Sequence, residues 1–111
     1  MNQLEHFKEI VASYRKHGWQ LRRVLMCEET RGHFAESSEP GFEGLIAEVA
    51  EVDALWFARP SHAGREAWEL RHVSETPYAL FEAFEADVSE ELRSEMLRDM
   101  EARLVEYALR D

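Results

Sequence analysis

The segment from Leu55 to His72, "LWFARPSHAGREAWELRH", constrains the fold of this chain more than any other stretch. Two runs rich in aromatic and aliphatic residues flank a Pro-Ser-His-Ala-Gly turn signal. Apolar runs of this length on either side of such a turn are typical of an antiparallel β-hairpin. The chain must therefore bury a sheet that contains this hairpin.

The position of the turn determines which residues of the hairpin face each other. A turn at residues 61–64 matches opposite charges and apolar side chains in three facing pairs: Arg59 with Glu66, Phe57 with Trp68, and Leu55 with Leu70. A slip of one residue would set Arg59 against Arg65 and scatter apolar side chains over both faces, so we expect the first register. It predicts a core face under the helices with Leu55, Phe57, Trp68 and Leu70, and an opposite face with Trp56, Ala58, Ala67, Glu69 and Arg71.

Three segments have the apolar periodicity of helices. The first runs from about Gln3 to His17 and ends before Gly18. The second runs from about Pro40 to Val52, with Ser37 or Ser38 as its cap. The third runs from Ser89 to about Arg110, with apolar residues at Leu92, Met96, Leu97, Met100, Leu104 and Ala108.

Three further segments are predicted as strands. Trp19 to Met26 and the short "HFAE" after "EETRG" fit a hairpin of one long and one short strand. Tyr78 to Glu85 is ambiguous, because Ala, Leu and Glu favour a helix. The turn signal "SETP" before it and the break "ADVS" after it favour a strand, and we predict one.

These elements give an α+β domain that spans residues 1–111, with an antiparallel sheet of about five strands packed against three helices. The predicted order is α-β-β-α-β-β-β-α. This order is similar to the profilin-like topology of roadblock-type and longin-type adaptor domains. The similarity concerns topology only, and topology alone is a weak argument for function.

Charge and cysteine content limit the cellular setting. The net charge of −10 disfavours direct binding of nucleic acids, which needs a basic surface. The single cysteine, Cys27, cannot form an intramolecular disulfide, and no signal peptide or membrane-spanning run is recognisable. We therefore expect a cytoplasmic protein without membrane contact.

The sequence contains few candidates for chemistry. It has no glycine-rich phosphate loop, no G-x-S-x-G elbow and no H-E-x-x-H helix. Cys27 and His33 are the nearest metal-ligand pair, but their spacing matches no common zinc pattern, and a buried strand cysteine with an exposed turn histidine explains them better. We expect no metal, no cofactor and no catalytic residues, and leave open an active site assembled from distant residues.

The hairpin contains the strongest binding candidates. Tryptophan and arginine often anchor protein interfaces, and we expect a locally basic interface or ligand patch formed by Trp56, Arg59, His62, Arg65 and Arg71. The alternative is that Trp56 is covered and that the arginines pair with Glu66, Glu69 and Glu82. The function we expect is a non-enzymatic protein-interaction or regulatory domain, forming a homodimer or binding another protein. The alternative function is a small-molecule-binding domain or enzyme with a pocket between helix and sheet, to which His62, His72, Arg59 or Cys27 contribute.

Overall fold

A computed structural model describes residues 3–36, 45 and 47–110 of the chain. These residues form three α-helices and five β-strands, which confirms the predicted α+β class. In chain order the elements are α1 (Gln3–Lys16), β1 (Gln20–Met26), α2 (Glu28–Glu36), β2 (Ala47–Val49), β3 (Ala54–Pro60), β4 (Glu66–His72), β5 (Ala79–Phe84) and α3 (Glu90–Ala108). A short 3-10 turn at His62–Gly64 joins β3 to β4.

The five strands form one mixed sheet in the order β2-β1-β3-β4-β5. The pairs β1 with β3, β3 with β4, and β4 with β5 are antiparallel, as predicted. The pair β1 with β2 is parallel, so the prediction of a wholly antiparallel sheet is wrong at this one junction. Strands β2 and β5 are the two edges of the sheet.

The segment between β1 and β3 differs most from the prediction. The "HFAE" residues predicted as a strand belong to α2, whose first turn carries Glu28 and Glu29, charges that favour a helix N-terminus. Residues 47–49 of the helix predicted from Pro40 to Val52 form β2 instead, because they pair with β1. Residues 37–44 and 46 of that prediction lie outside the described residues.

The helix and the strand of this segment therefore follow each other in the reverse of the predicted order. The similarity to a profilin-like topology depended on a hairpin after the first helix. In the structure, α2 separates β1 from β2, and these two strands are parallel. The similarity therefore loses its basis.

The β3–β4 hairpin is present, but its register is one residue away from the prediction. Trp56 lies opposite Leu70, and Ala58 lies opposite Trp68. The prediction assumed that only one face of the hairpin is buried. Helices cover both faces of β3, so apolar side chains on either face find a core, and the register is not forced to place them all on one side.

The sheet separates two hydrophobic cores. On one face, which we call the α1 face, α1 packs on the sheet through a buried set of Phe7, Ile10, Val11, Trp19, Val24, Met26, Leu55, Phe57, Ala67 and Val73. On the opposite face, which we call the α3 face, α3 packs on Leu25, Val52, Ala54, Trp56, Ala58, Trp68, Leu70 and Phe84 through Met100 and Leu104. The central strand β3 is thus buried on both sides from Ala54 to Ala58.

The remaining predicted elements are confirmed. The ambiguous segment Tyr78 to Glu85 is a strand, β5. The first helix, α1, ends at Lys16, one residue before the predicted end. The last helix, α3, is capped by the Ser89 hydroxyl, which accepts a hydrogen bond from the backbone N–H of Leu92. Within the described residues, no helix has the length and apolar character needed to span a membrane.

Candidate functional site

Trp56 does not lie on an open surface. Its side chain is fully buried on the α3 face, edge-on to Trp68 with ring centroids 5.9 Å apart. Its indole N–H donates a hydrogen bond of 2.8 Å to Glu101 of α3. The prediction that Trp56 anchors an exposed patch is therefore wrong, because α3 covers this face of the sheet.

The three predicted arginines lie in separate places. Arg59 stacks over the ring of Trp19 at 4.4 Å and donates a hydrogen bond of 2.6 Å to the carbonyl of His17. Arg65 forms an exposed ion pair with Glu85 at 3.1 Å. The guanidinium of Arg71 donates to the backbone carbonyl of the next residue at 2.8 Å. The five predicted residues therefore do not form one patch.

Two of the predicted residues do share a cleft. Arg59 and His62 line a shallow, open cleft of about 450 Å³ with His17, Gly18, Pro60 and Ser61. The C-terminal end of α1 forms one wall, and the β3–β4 turn forms the other. None of the lining residues is acidic, although the chain as a whole has a charge of −10. The cleft can therefore present positive charge and hydrogen-bond donors to an anion.

The outer edge of β5, which no other strand pairs with in the described part of the chain, is a second candidate site that the sequence did not predict. In an antiparallel pair, facing residues alternate between hydrogen-bonded and non-hydrogen-bonded positions. The backbone N–H of His72 donates to the carbonyl of Tyr78 at 2.9 Å, so the alternate residues Leu80, Glu82 and Phe84 bond to β4. The backbone groups of Ala79, Phe81 and Ala83 therefore point away from the sheet.

The side chains of Ala79, Phe81 and Ala83 are exposed on the α1 face, and we call these residues, with their outward backbone groups, the β5 edge. Phe81 has 59% of its surface exposed, while the neighbouring Trp19 is buried and lies edge-on to it at 6.5 Å. Trp19 in turn contacts Tyr14, which stacks on Phe57 at 4.0 Å. An aromatic row thus runs from the core to the surface and ends at Phe81.

Tyr14 holds this row in place through a polar contact. Its hydroxyl donates a hydrogen bond to the carboxylate of Glu69 on β4. Burial and the Glu69 carboxylate raise the pKa of Tyr14 above its ordinary value, so the phenol stays protonated and keeps donating. The base of the β5 edge is therefore built on a fixed contact between α1 and the sheet.

Cys27 belongs to a structural cluster around the buried carboxylate of Asp53. Asp53 accepts hydrogen bonds from the backbone N–H of Cys27 at 2.8 Å, the hydroxyl of Thr30 at 2.7 Å and the amide of Gln3 at 2.9 Å. It thereby ties together the start of α1, the end of β1 and the start of α2. The Cys27 thiol itself lies 3.3 Å from the Thr30 hydroxyl.

The contacts of Cys27 and His33 do not support a metal site formed by these two residues. Cys27 lies immediately before α2 and its thiol contacts the Thr30 hydroxyl at 3.3 Å, whereas His33 lies on α2 six residues later. No group of three or more histidine, cysteine or acidic residues placed to hold a metal ion occurs within the described residues. His72, the remaining residue of the ligand alternative, has a buried Nδ1 atom without a hydrogen-bond partner.

The sequence predicts β5 as a strand but does not predict that β5 lies at an edge of the sheet. The β5 edge was therefore missed as a candidate site. Its pattern, "ALFEAF", contains no lysine and no proline, the residues that often protect an edge strand. Comparison of the chain with protein-family models, with curated proteins and with solved structures gives no match.

Proposed function

We propose that this chain is a non-enzymatic protein-interaction domain that binds its partner by strand addition at the β5 edge. The observation that carries the proposal is a regular edge strand of six residues, without lysine or proline, that has no neighbouring strand on its outer side among the described residues and has Phe81 exposed near its centre. Exposed strand edges of this kind pair readily with another chain, and native proteins usually protect them when no partner exists. Main-chain hydrogen bonds supply the affinity in this binding mode.

The surroundings of the β5 edge suit a partner strand. Ala79 and Ala83 are small, so a neighbouring backbone can approach without steric conflict, and Phe81 offers an aromatic surface to one partner side chain. Trp19 lies edge-on to Phe81 on the α1 face, and Arg59 stacks over Trp19, so the two residues can line the rim of the contact. Aromatic residues and arginine are enriched in protein interfaces.

Site-specific photo-crosslinking in the producing cells tests the proposal. A benzoyl-phenylalanine replaces Phe81 in one variant and Val49 in a control, because Val49 is 56% exposed on β2, at the other end of the strand order. We expect a discrete protein adduct at position 81 and not at position 49. Adding Ala83→Pro, which removes one outward N–H, should abolish the adduct. No adduct at 81, or the same adducts at both positions, would contradict strand addition.

A second candidate function is the binding of a small anion in the cleft of His17, Arg59 and His62. The observation that favours it is the clustering of three basic residues, with no acidic residue, on a chain of charge −10. Titration with inorganic phosphate should shift the ring NMR signals of His17 and His62, and Arg59→Gln should weaken that shift. Unchanged spectra in the wild-type protein would remove this candidate.

A further inference from the structure

The β5 edge can pair with a copy of itself. We infer that the partner strand is β5 of a second copy of this chain, paired antiparallel about a two-fold axis that passes beside Phe81. This inference rests on the proposed function, since it identifies the occupant of the same edge.

The outward N–H and C=O groups belong to Ala79, Phe81 and Ala83, as the bond from His72 to the Tyr78 carbonyl fixes the alternation along β5. A hydrogen-bonded pair in an antiparallel ladder exchanges two bonds. Any strand that pairs fully with this edge must therefore place its own outward-pointing residues opposite these three.

Most homo-oligomers are closed and two-fold symmetric, and a two-fold axis perpendicular to the sheet reverses the strand direction while it keeps each face on the same side. It therefore pairs odd-numbered residues with odd-numbered residues. Two of the registers that satisfy this condition keep five of the six β5 residues paired: one has Phe81 opposite Phe81 of the second copy, and the other has Glu82 opposite Glu82 of the second copy.

The charge of Glu82 distinguishes the two registers. Centring on Glu82 would place two carboxylates in a non-hydrogen-bonded pair, where opposite Cα atoms are only about 4.5 Å apart, and like charges directly opposite are destabilising. Centring on Phe81 places Glu82 opposite Leu80 and Ala79 opposite Ala83, with the two Phe81 rings side by side. Glu82 is the only ionisable residue of β5. The strand is therefore self-complementary in one register and not in the other.

The resulting dimer has one continuous sheet of ten strands among the described residues. The three outward residues of each strand exchange six main-chain hydrogen bonds across the axis. On the α1 face, Phe81 of each copy lies between Trp19 of its own chain and Phe81 of the other. The aromatic row that ends at the surface of one chain thus continues into its copy.

Disulfide trapping of the purified protein tests this register. In a Cys27→Ser background, Phe81→Cys places two cysteines opposite each other across the two-fold axis. Their Cα atoms should lie about 5.5 Å apart, which is within the range of a disulfide. We expect rapid oxidation to a covalent dimer. Ala83→Cys in the same background is the matched control, because residue 83 faces residue 79 and not itself. Failure of Phe81→Cys to form the covalent dimer, or equally fast dimer formation by Ala83→Cys, would overturn the register.

Sedimentation separates the failure of this inference from the failure of the proposed function. We expect wild-type protein at twice the chain mass of 13.0 kDa, and Ala83→Pro or Phe81→Lys at 13.0 kDa, with unchanged circular dichroism. A wild-type monomer whose position 81 still crosslinks to a different protein in cells would overturn the second-copy partner and leave strand addition standing. A wild-type monomer with no adduct at position 81 would overturn both.

Discussion

The indole N–H of Trp56 donates a hydrogen bond of 2.8 Å to the carboxylate of Glu101, which joins the centre of the sheet to α3. The same carboxylate forms an ion pair with Arg23 at 2.9 Å. Trp56 is fully buried, so its N–H has no access to water and depends on Glu101. This contact explains why the most conspicuous tryptophan of the hairpin belongs to the core.

Replacing Glu101 tests this contact. Glu101→Ala leaves a buried donor without a partner, which costs about 1–3 kcal/mol of the free energy of unfolding. Glu101→Gln retains an oxygen acceptor and should cost less. Asp99→Ala is the control, because it removes an exposed carboxylate paired with Arg103 and should cost at most about 1 kcal/mol. Urea unfolding measures all three, and equal losses for Glu101→Ala and Asp99→Ala would contradict the account.

The burial of Trp56 also shows what the sequence could and could not predict. The helices α1 and α3 were predictable, because their apolar spacing and their end signals are local. The sequence does contain a sign that β3 is covered twice, since Ala54 to Ala58 is an unbroken apolar run, as in strands buried on both faces. The prediction assumed that only one face of this run is buried. For that reason it assigned Trp56 to an exposed face.

The segment from α2 to β2 was not predictable in the same way. Residues 47–49 had the periodicity of a helix, but their pairing with Val24 to Met26 determines their structure. Tertiary pairing of this kind overrides local propensity. The candidate site depends on the same information, because β5 exposes an edge only as a result of the strand order.

His72 should make stability depend on pH. Burial lowers the pKa of its ring below the ordinary value of 6.5, although the Asp53 carboxylate opposes the shift. As the pH falls through 6.5, the unfolded chain binds a proton that the folded chain does not, so stability is lost toward lower pH. His72→Gln should reduce this loss. Chemical unfolding across this range measures it, and parallel pH profiles for the two proteins would contradict the prediction.

Two glycines should respond in opposite directions to the same substitution. Gly64 has a φ of 75°, and a Cβ there would lie 3.1 Å from the Cβ of Ala86, so Gly64→Ala should cost about 1–2 kcal/mol. Gly32 lies in α2 with nothing within 4 Å of an added Cβ. Gly32→Ala should therefore add about 0.5–1 kcal/mol. Thermal unfolding measures both, and changes of the same sign would contradict the backbone geometry.

Salt should strengthen the dimer. Each chain has a charge of −10, so two copies repel each other at long range, and added salt screens that repulsion. The inferred contact itself consists of main-chain hydrogen bonds and apolar side chains, which salt screens little. Sedimentation equilibrium should therefore give a dissociation constant that falls as sodium chloride is added. A dissociation constant that rises with salt would indicate an interface held by opposite charges instead.

Amide hydrogen exchange along β5, followed by NMR over a range of protein concentrations, tests the central claim most directly. The amides of Leu80, Glu82 and Phe84 bond to β4 and should be protected at every concentration, which makes them an internal control. The amides of Ala79, Phe81 and Ala83 point outward and should gain protection as the concentration rises and the edges pair. Fast exchange at Ala79, Phe81 and Ala83 at every concentration would contradict pairing between copies at this edge.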